Sequence, residues 1–221
     1  MVDVAVLIPT RNRAASLVKA LASVAAQTRP PDHVVVVSDC DAVHEDETVE
    51  VTREVAGQFP TIECIRNRRT KNLSGAVNTG LVRLIELGLF PESTFVALLD
   101  DDDEWEPGYL QTCLDAAESG CHDLVVTGLI RHESEDDPGT LLSIPNALST
   151  HDFFVGNPHI QGSNLFVRFS TLLLAGGFDE SLDSTTDRDV CIRLLDLGTV
   201  KIGFVRAHLV HHWALSTQER L

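Results

Sequence analysis

Val4-Ala5-Val6-Leu7-Ile8 is a nearly unbroken apolar run that stops at Pro9, and no other stretch restricts the possible folds more. A strand wet on one face would alternate; a run apolar at every position has both faces buried, as in a parallel sheet covered by helices. Behind it Ala14, Leu17, Val18, Leu21, Val24 and Ala25 recur at helical spacing, which predicts a helix over Ala14–Ala25. The unit repeats. Val34–Val37 predicts a second strand closing on Ser38-Asp39, Thr48–Gln58 a helix, Ile62–Ile65 a third strand, Gly75–Leu87 a helix, and Phe95–Leu99 a fourth buried strand that ends in acid. Strands alternating with helices imply an α/β fold with a Rossmann-like, mostly parallel sheet flanked by helices, binding ligands at the carboxyl ends of its strands.

Past Leu99 the rhythm changes. A helix is expected near Tyr109–Ala117, a strand over Leu124–Ile130, a polar break at Glu133–Gly139, and short strands at Leu165–Val167, Val200–Val205 and Leu209-Val210, so the second half should make the sheet mixed. A chain of 221 residues without a linker-like stretch fits one domain. Its five cysteines (Cys40, Cys64, Cys113, Cys121, Cys191) are scattered and odd in number, which argues for buried thiols over a disulfide framework or a zinc knuckle. No segment reaches the roughly 18 apolar residues of a membrane span, and no secretory leader opens the chain. A cytoplasmic location is expected, with peripheral membrane or partner-domain association left open.

Lys plus Arg is 17 against 33 for Asp plus Glu, a formal charge of −16. Such a surface repels nucleic acid, and a phosphate-bearing ligand would need a cation beside it. Asp100-Asp101-Asp102-Asp103 follows the fourth strand directly, at the sheet edge where ligands bind. Adjacent carboxylates there are costly without a counter-charge, and oxygen donors of this kind suit Mg²⁺ or Mn²⁺ held jointly with substrate phosphates. The plainer reading is a solvated acidic turn. Arg66, Arg68, Arg69 and Lys71 form a basic loop whose simplest use is surface pairing.

Together these segments resemble family 2 glycosyltransferases of the glycosyltransferase-A fold. Pro9-Thr10-Arg11-Asn12-Arg13 matches the opening motif, Ser38-Asp39 the acidic end of the second strand, Leu99 to Asp103 the metal motif, and Gly176-Gly177-Phe178-Asp179-Glu180 with Thr186-Asp187-Arg188-Asp189 the segment that carries the catalytic base. The resemblance implies that residues up to about 103 bind the nucleotide and residues 104–221 face the acceptor. By it, Pro9, Thr10 and Arg13 contact the nucleotide and Asp39 accepts a hydrogen bond from a uracil-like edge, which favours a UDP-sugar. Asn72, Gly75 and Asn78 belong to the segment opening the third helix near the nucleotide, with a plain helix cap as the alternative for Asn72 or Ser74. Asp100 and Asp101 fall to the nucleotide-sugar, and Asp102 to the metal. Asp187 is the expected base of an inverting transfer, with Asp189 as runner-up, because Thr186 and Arg188 replace the usual acid and aromatic. A late histidine is expected at the metal or diphosphate; if Leu209-Val210 is a strand, His211 and His212 point to opposite sides, and His211 is favoured.

The activity implied is metal-assisted transfer from a nucleoside-diphosphate sugar to the hydroxyl of an unknown acceptor. Two other readings stay open: a sugar-phosphate nucleotidyltransferase, although Pro9 to Arg13 lacks the glycine-rich phosphate loop of that class, and a non-catalytic nucleotide-sugar-binding module. A dehalogenase-type phosphatase would carry its paired aspartates after the first strand, not the fourth.

Overall fold

The structure, a computed structural model, describes residues 2–214. In chain order β1 (Asp3–Thr10) leads to α1 (Ala14–Ala25), β2 (His33–Ser38) to α2 (Ala42–Glu54), and β3 (Ile62–Arg66) to α3 (Leu73–Glu86). Then come β4 (Thr94–Leu98), β5 (Glu104–Trp105), α4 (Tyr109–Gly120), β6 (Leu124–His132), β7 (Thr140–Leu141), α5 (Thr150–Val155), β8 (Leu165–Arg168), α6 (Phe169–Leu174), α7 (Thr186–Asp196) and β9 (Ile202–Trp213). One sheet runs in the order β3-β2-β1-β4-β8-β6-β9-β5, with β7 beside β6. The first four positions are parallel; β8 lies antiparallel between β4 and β6, β9 runs parallel to β6, and β5 caps β9 antiparallel.

The apolar runs do what a two-face strand must. Val4, Val6 and Ile8 of β1, with Val34, Val36 and Phe95, pack against Leu17, Leu21 and Val24 of α1 and against Tyr109, Leu110 and Cys113 of α4. The intervening Ala5, Leu7, Val35, Val37, Val96 and Leu98 face Ala76, Val77, Leu81 and Leu84 of α3 and Val190 and Leu194 of α7. Period-2 side-chain direction thus divides one sheet between two cores.

Some boundaries differ from expectation. α2 begins at Ala42, six residues earlier than its weak apolar pattern suggested, because Asp41 sits in extended backbone at its N-terminus. The two late runs around Val200–Val205 and Leu209-Val210 join into one 12-residue strand, β9, which stays paired to β6 through register shifts opposite Val126–Leu129. Of the cysteines, Cys40, Cys113 and Cys191 are buried, Cys64 is half-buried and Cys121 is exposed; all five are free thiols. Among the described residues no helix is long and apolar enough to cross a membrane.

The seam between the parallel and mixed parts of the sheet is sealed by Phe95 of β4 and Phe166 of β8, stacked with ring centroids 4.8 Å apart and both inaccessible to solvent. Emptying that volume combines lost transfer energy with a cavity. Phe166→Ala is expected to lower the unfolding free energy by about 3–5 kcal/mol in urea denaturation with an unchanged m-value. A loss below about 1 kcal/mol would show that the seam repacks.

Candidate active site

A cleft of ≈ 590 Å³ opens at the carboxyl end of β1 and β4, lined by Pro9, Arg13, Asn72, Asp100, Asp101, Asp102, Asp187 and His212 among others. The four aspartates, alike in sequence, have four different surroundings. The amide of Asp100 donates to Ser163 Oγ at 3.1 Å. Burial, together with the charges of Asp103, Asp187, Asp102 and Asp101, pushes its carboxyl well above the usual range. Asp101 is fully buried; it accepts from Thr10 Oγ1 at 2.6 Å and meets the Arg13 guanidinium at 2.7 Å. Even so, burial outweighs Arg13 and lifts its pKa to about 7. Asp102 meets Arg13 at 2.6 Å and faces the cleft, its pKa raised by burial and by Asp103. Asp103 turns away, accepting from His212 Nδ1 at 3.1 Å and from the Trp213 amide at 3.2 Å.

Asp187 enters from α7. Gly162 is flanked by it and by Asp100: a Cβ built there would stand 3.3 Å from Asp187 Oδ1 and 3.8 Å from Asp100 Oδ1. Both carboxylates thus border the same stretch of backbone. Burial raises the Asp187 pKa to about 6, against a hydrogen bond from the Gly162 amide that lowers it.

The remaining expected residues separate into those at the cleft and those that build it. Thr10 lies beneath, bonded to Asp101. Asp39 is outside the lining, with Oδ1 held by Asn67 Nδ2 at 2.8 Å and Oδ2 buried without a partner. Asn72 lines the cleft and caps α3, its Oδ1 accepting the Gly75 amide at 2.8 Å. Gly75 serves packing: a Cβ there would stand 1.9 Å from the Thr70 carbonyl oxygen. Asn78 is taken up by Phe178, donating to its carbonyl at 2.8 Å and accepting from its amide at 2.9 Å. Asp189 is held by Arg193 of its own helix at 2.6 Å and is not in the lining.

The histidine placement is corrected: His212 reaches the cleft and His211 does not. His211 faces the other side, its Nε2 at 3.0 Å from Glu106 and its Nδ1 at 2.9 Å from His132 Nε2. Alternation along a strand sets the two apart but leaves the phase open, and here the register shifts between β6 and β9 set it.

Several lining residues carried no sequence signal, among them Arg131, Gln161, Thr185 and Trp213; Arg188, marked in the sequence only as a departure from the base motif, lines the cleft as well. Glu180 was also missed as a clamp: it accepts from Thr70 Oγ1 at 2.7 Å, from Asn78 Nδ2 at 2.8 Å and from Arg69. Burial opposes its ionised form, but these bonds win and hold its pKa at about 2. The basic loop pairs as expected: Arg66 with Glu45, Arg68 with Glu86, Arg69 with Glu180 and Lys71 with Asp41.

Among the described residues, no three His, Cys, Asp or Glu side chains converge into a ready-made cation cage. Asp102 and His212, hard oxygen and imidazole nitrogen on one cleft, are the side chains that could share a cation with a ligand's oxygens.

The family model described as glycosyl transferase family 2 matches residues 5–174. The pre-mycofactocin glycosyltransferase of Mycobacterium tuberculosis is 28% identical over 219 residues, 95% of this chain and 42% of that protein. The chain thus spans less than half the length of the curated relative it matches. Among solved structures, residues 1–349 of S. aureus TarS superpose with a TM-score of 0.75 at 17% identity, covering 96% of this chain and 60% of that one. The same protein in complex with UDP-GlcNAc gives 0.74, covering 98% and 59%. At that identity the likeness is one of fold.

The Asp187 carboxyl has a testable thermodynamic signature. Because its folded pKa lies above its ordinary value, the native state binds more protons than the unfolded one between about pH 4 and 6, and stability falls as pH rises through that window. Asp187→Asn removes the buried charge while keeping the shape. Its melting temperature should exceed the parent's at pH 7–8, the gain disappearing below about pH 4; a lower melting temperature at pH 8 would contradict the raised pKa.

Proposed function

This chain belongs to glycosyl transferase family 2, and from that premise we propose that it moves a sugar from a nucleoside diphosphate to an acceptor hydroxyl with inversion at the anomeric carbon. The observation that carries the reading is the meeting of two carboxylate stations at one cleft: Asp100–Asp102 at the end of β4, and Asp187 from α7 across Gly162.

The half up to about residue 103 holds the nucleotide, and residues from about 104 onward face the acceptor. Pro9 and Arg13 lie beside the nucleotide. The unpartnered Oδ2 of Asp39 is an acceptor suited to the N–H of a uracil edge. A UDP-sugar is the favoured donor, in keeping with the UDP-GlcNAc complex of the TarS structure. Asp187, with a pKa of about 6, is largely ionised at neutral pH yet basic enough to take a proton. It removes the acceptor hydroxyl proton as that oxygen bonds to the anomeric carbon, while the opposite carbon–oxygen bond breaks and its electron pair leaves with the nucleoside diphosphate.

The donor set fits a divalent ion. Burial first, and neighbouring carboxylates second, raise the pKa values of Asp100 and Asp102, so a cation beside them would favour their ionised, ligating forms; the Asp103 carboxylate fixes the His212 ring through Nδ1, leaving Nε2 for a ligand. Asp102 and His212 would hold Mn²⁺ or Mg²⁺ there. When bound, such an ion supplies Lewis-acid stabilisation of charge on the departing diphosphate.

Isothermal calorimetry of UDP binding with and without Mn²⁺ tests the metal assignment. Asp102→Asn should cut the Mn²⁺-dependent gain in affinity at least tenfold, and an undiminished gain would remove Asp102 from the ion. For the base, Asp187→Asn should lower kcat by about 10²–10⁴ while leaving UDP affinity near the parent value. Near-normal turnover would assign proton removal elsewhere.

A further inference from the structure

The charge inventory of the cleft is uneven in a way donor binding does not use up. Of its lining arginines, Arg13 is committed to Asp101 and Asp102. Arg131, near the end of β6, makes one exposed contact with Glu133 at 3.1 Å, a pair of little energetic weight. Arg188 is half-buried in the first turn of α7, next to Asp187, and among the described residues it makes neither an ion pair nor a hydrogen bond. In a chain of net charge −16, most other lysines and arginines are paired with carboxylates.

Position decides what such a cation is for. Arg188 is one residue along α7 from the proposed base, and Arg131 is the parallel-sheet partner of His212 on β9. Both belong to the part of the cleft built after residue 103, whereas the nucleotide side is formed by Pro9, Arg13 and Asp100–Asp102. A guanidinium left unpaired in a cleft otherwise rich in carboxylates is an oxyanion receptor, able to form two parallel N–H···O bonds.

We propose that Arg188, supported by Arg131, forms an anion subsite on the acceptor side, so that the acceptor carries a phosphate or carboxylate near the hydroxyl that is glycosylated. The inference rests on the donor-and-base reading above and adds the acceptor's chemical class. The fixed anion holds the hydroxyl beside Asp187, and the positive subsite offsets the repulsion an anionic acceptor would meet from the aspartates.

Calorimetric titrations of the full chain with and without UDP and Mn²⁺ test it, using glycerol 3-phosphate, glycerate and glycerol as probes. Glycerol 3-phosphate or glycerate should bind at least tenfold more tightly than glycerol, and the stronger of the two identifies the anion. Arg188→Gln should erase that preference and Arg131→Gln should reduce it several-fold, with UDP affinity and melting temperature kept. If the three probes bind alike, or Arg188→Gln leaves the preference intact, the subsite is overturned. If Arg188→Gln weakens UDP as much as it weakens the anionic probe, Arg188 reads the donor diphosphate and the acceptor assignment falls. Failure of UDP to bind the parent chain at all would instead strike the donor reading, a result separable because the probes are also titrated into the free chain.

Discussion

Repulsion among carboxylates at the end of β4 is the constraint around which the rest of the site is arranged. Four consecutive aspartates brought into a low-dielectric edge cannot all be ionised cheaply, and the structure answers each one differently. Arg13 and Thr10 reach across from β1 and the loop after it to Asp101, Arg13 alone to Asp102, and His212 with the Trp213 amide comes from β9 to Asp103. Asp100 is anchored through its backbone amide to Ser163, and burial, with the neighbouring carboxylates, pushes its carboxyl well above the usual range. Arg13 offsets part of this charge, at Asp101 and Asp102.

The same economy governs the support of the cleft. Asn72 and Asn78 reach from α3 to the 178–180 segment, Gly75 packs against Thr70, and the polar groups of all three are spent on cap and clamp. Asn72 Nδ2 donates to the Glu180 carbonyl at 2.9 Å, and Asn78 brackets Phe178. The segment preceding α7 is thereby fastened to α3. A residue can sit in a ligand-binding motif because it shapes the wall, with no atom left over for the ligand.

The apolar runs of the first half were legible because a parallel strand buried on both faces writes its burial into every position; β1 to β4 and α1 fall where Val4–Ile8, Val34–Val37, Ile62–Ile65, Phe95–Leu99 and Ala14–Ala25 indicated. α5 left a trace that periodicity does not read: Asp152 accepts the Ser149 amide at 2.7 Å, a capping pair visible as Ser-x-x-Asp before Phe153. α6 has only six residues, too few for a helical stripe. Within the site, residue types were readable and their division of labour was not. Nothing in Asp-Asp-Asp-Asp says which carboxylate turns inward, and the choice between His211 and His212 depended on register shifts set by the partner strand β6. Arg188 stood out in the sequence as a substitution in a motif, but its lack of a partner is a three-dimensional fact.

β5 is only two residues long, yet it hydrogen-bonds to β9 at Glu104 and Trp105, while β4 ends at Leu98 four places away in the sheet. Strand spacings of roughly 4.8 Å put those positions about 19 Å apart on a flat sheet, close to the full reach of the six intervening steps, and the tight Asp103-to-Asp100 bond forbids full extension. The sheet must therefore roll up at this edge, and the acidic turn acts as a guy-rope whose length sets the curvature. Surface turns ordinarily absorb extra residues at little cost. One more residue between Leu99 and Glu104 would slacken the rope and let the two walls of the cleft drift apart, so the length of this turn is as much a part of the site as its charge.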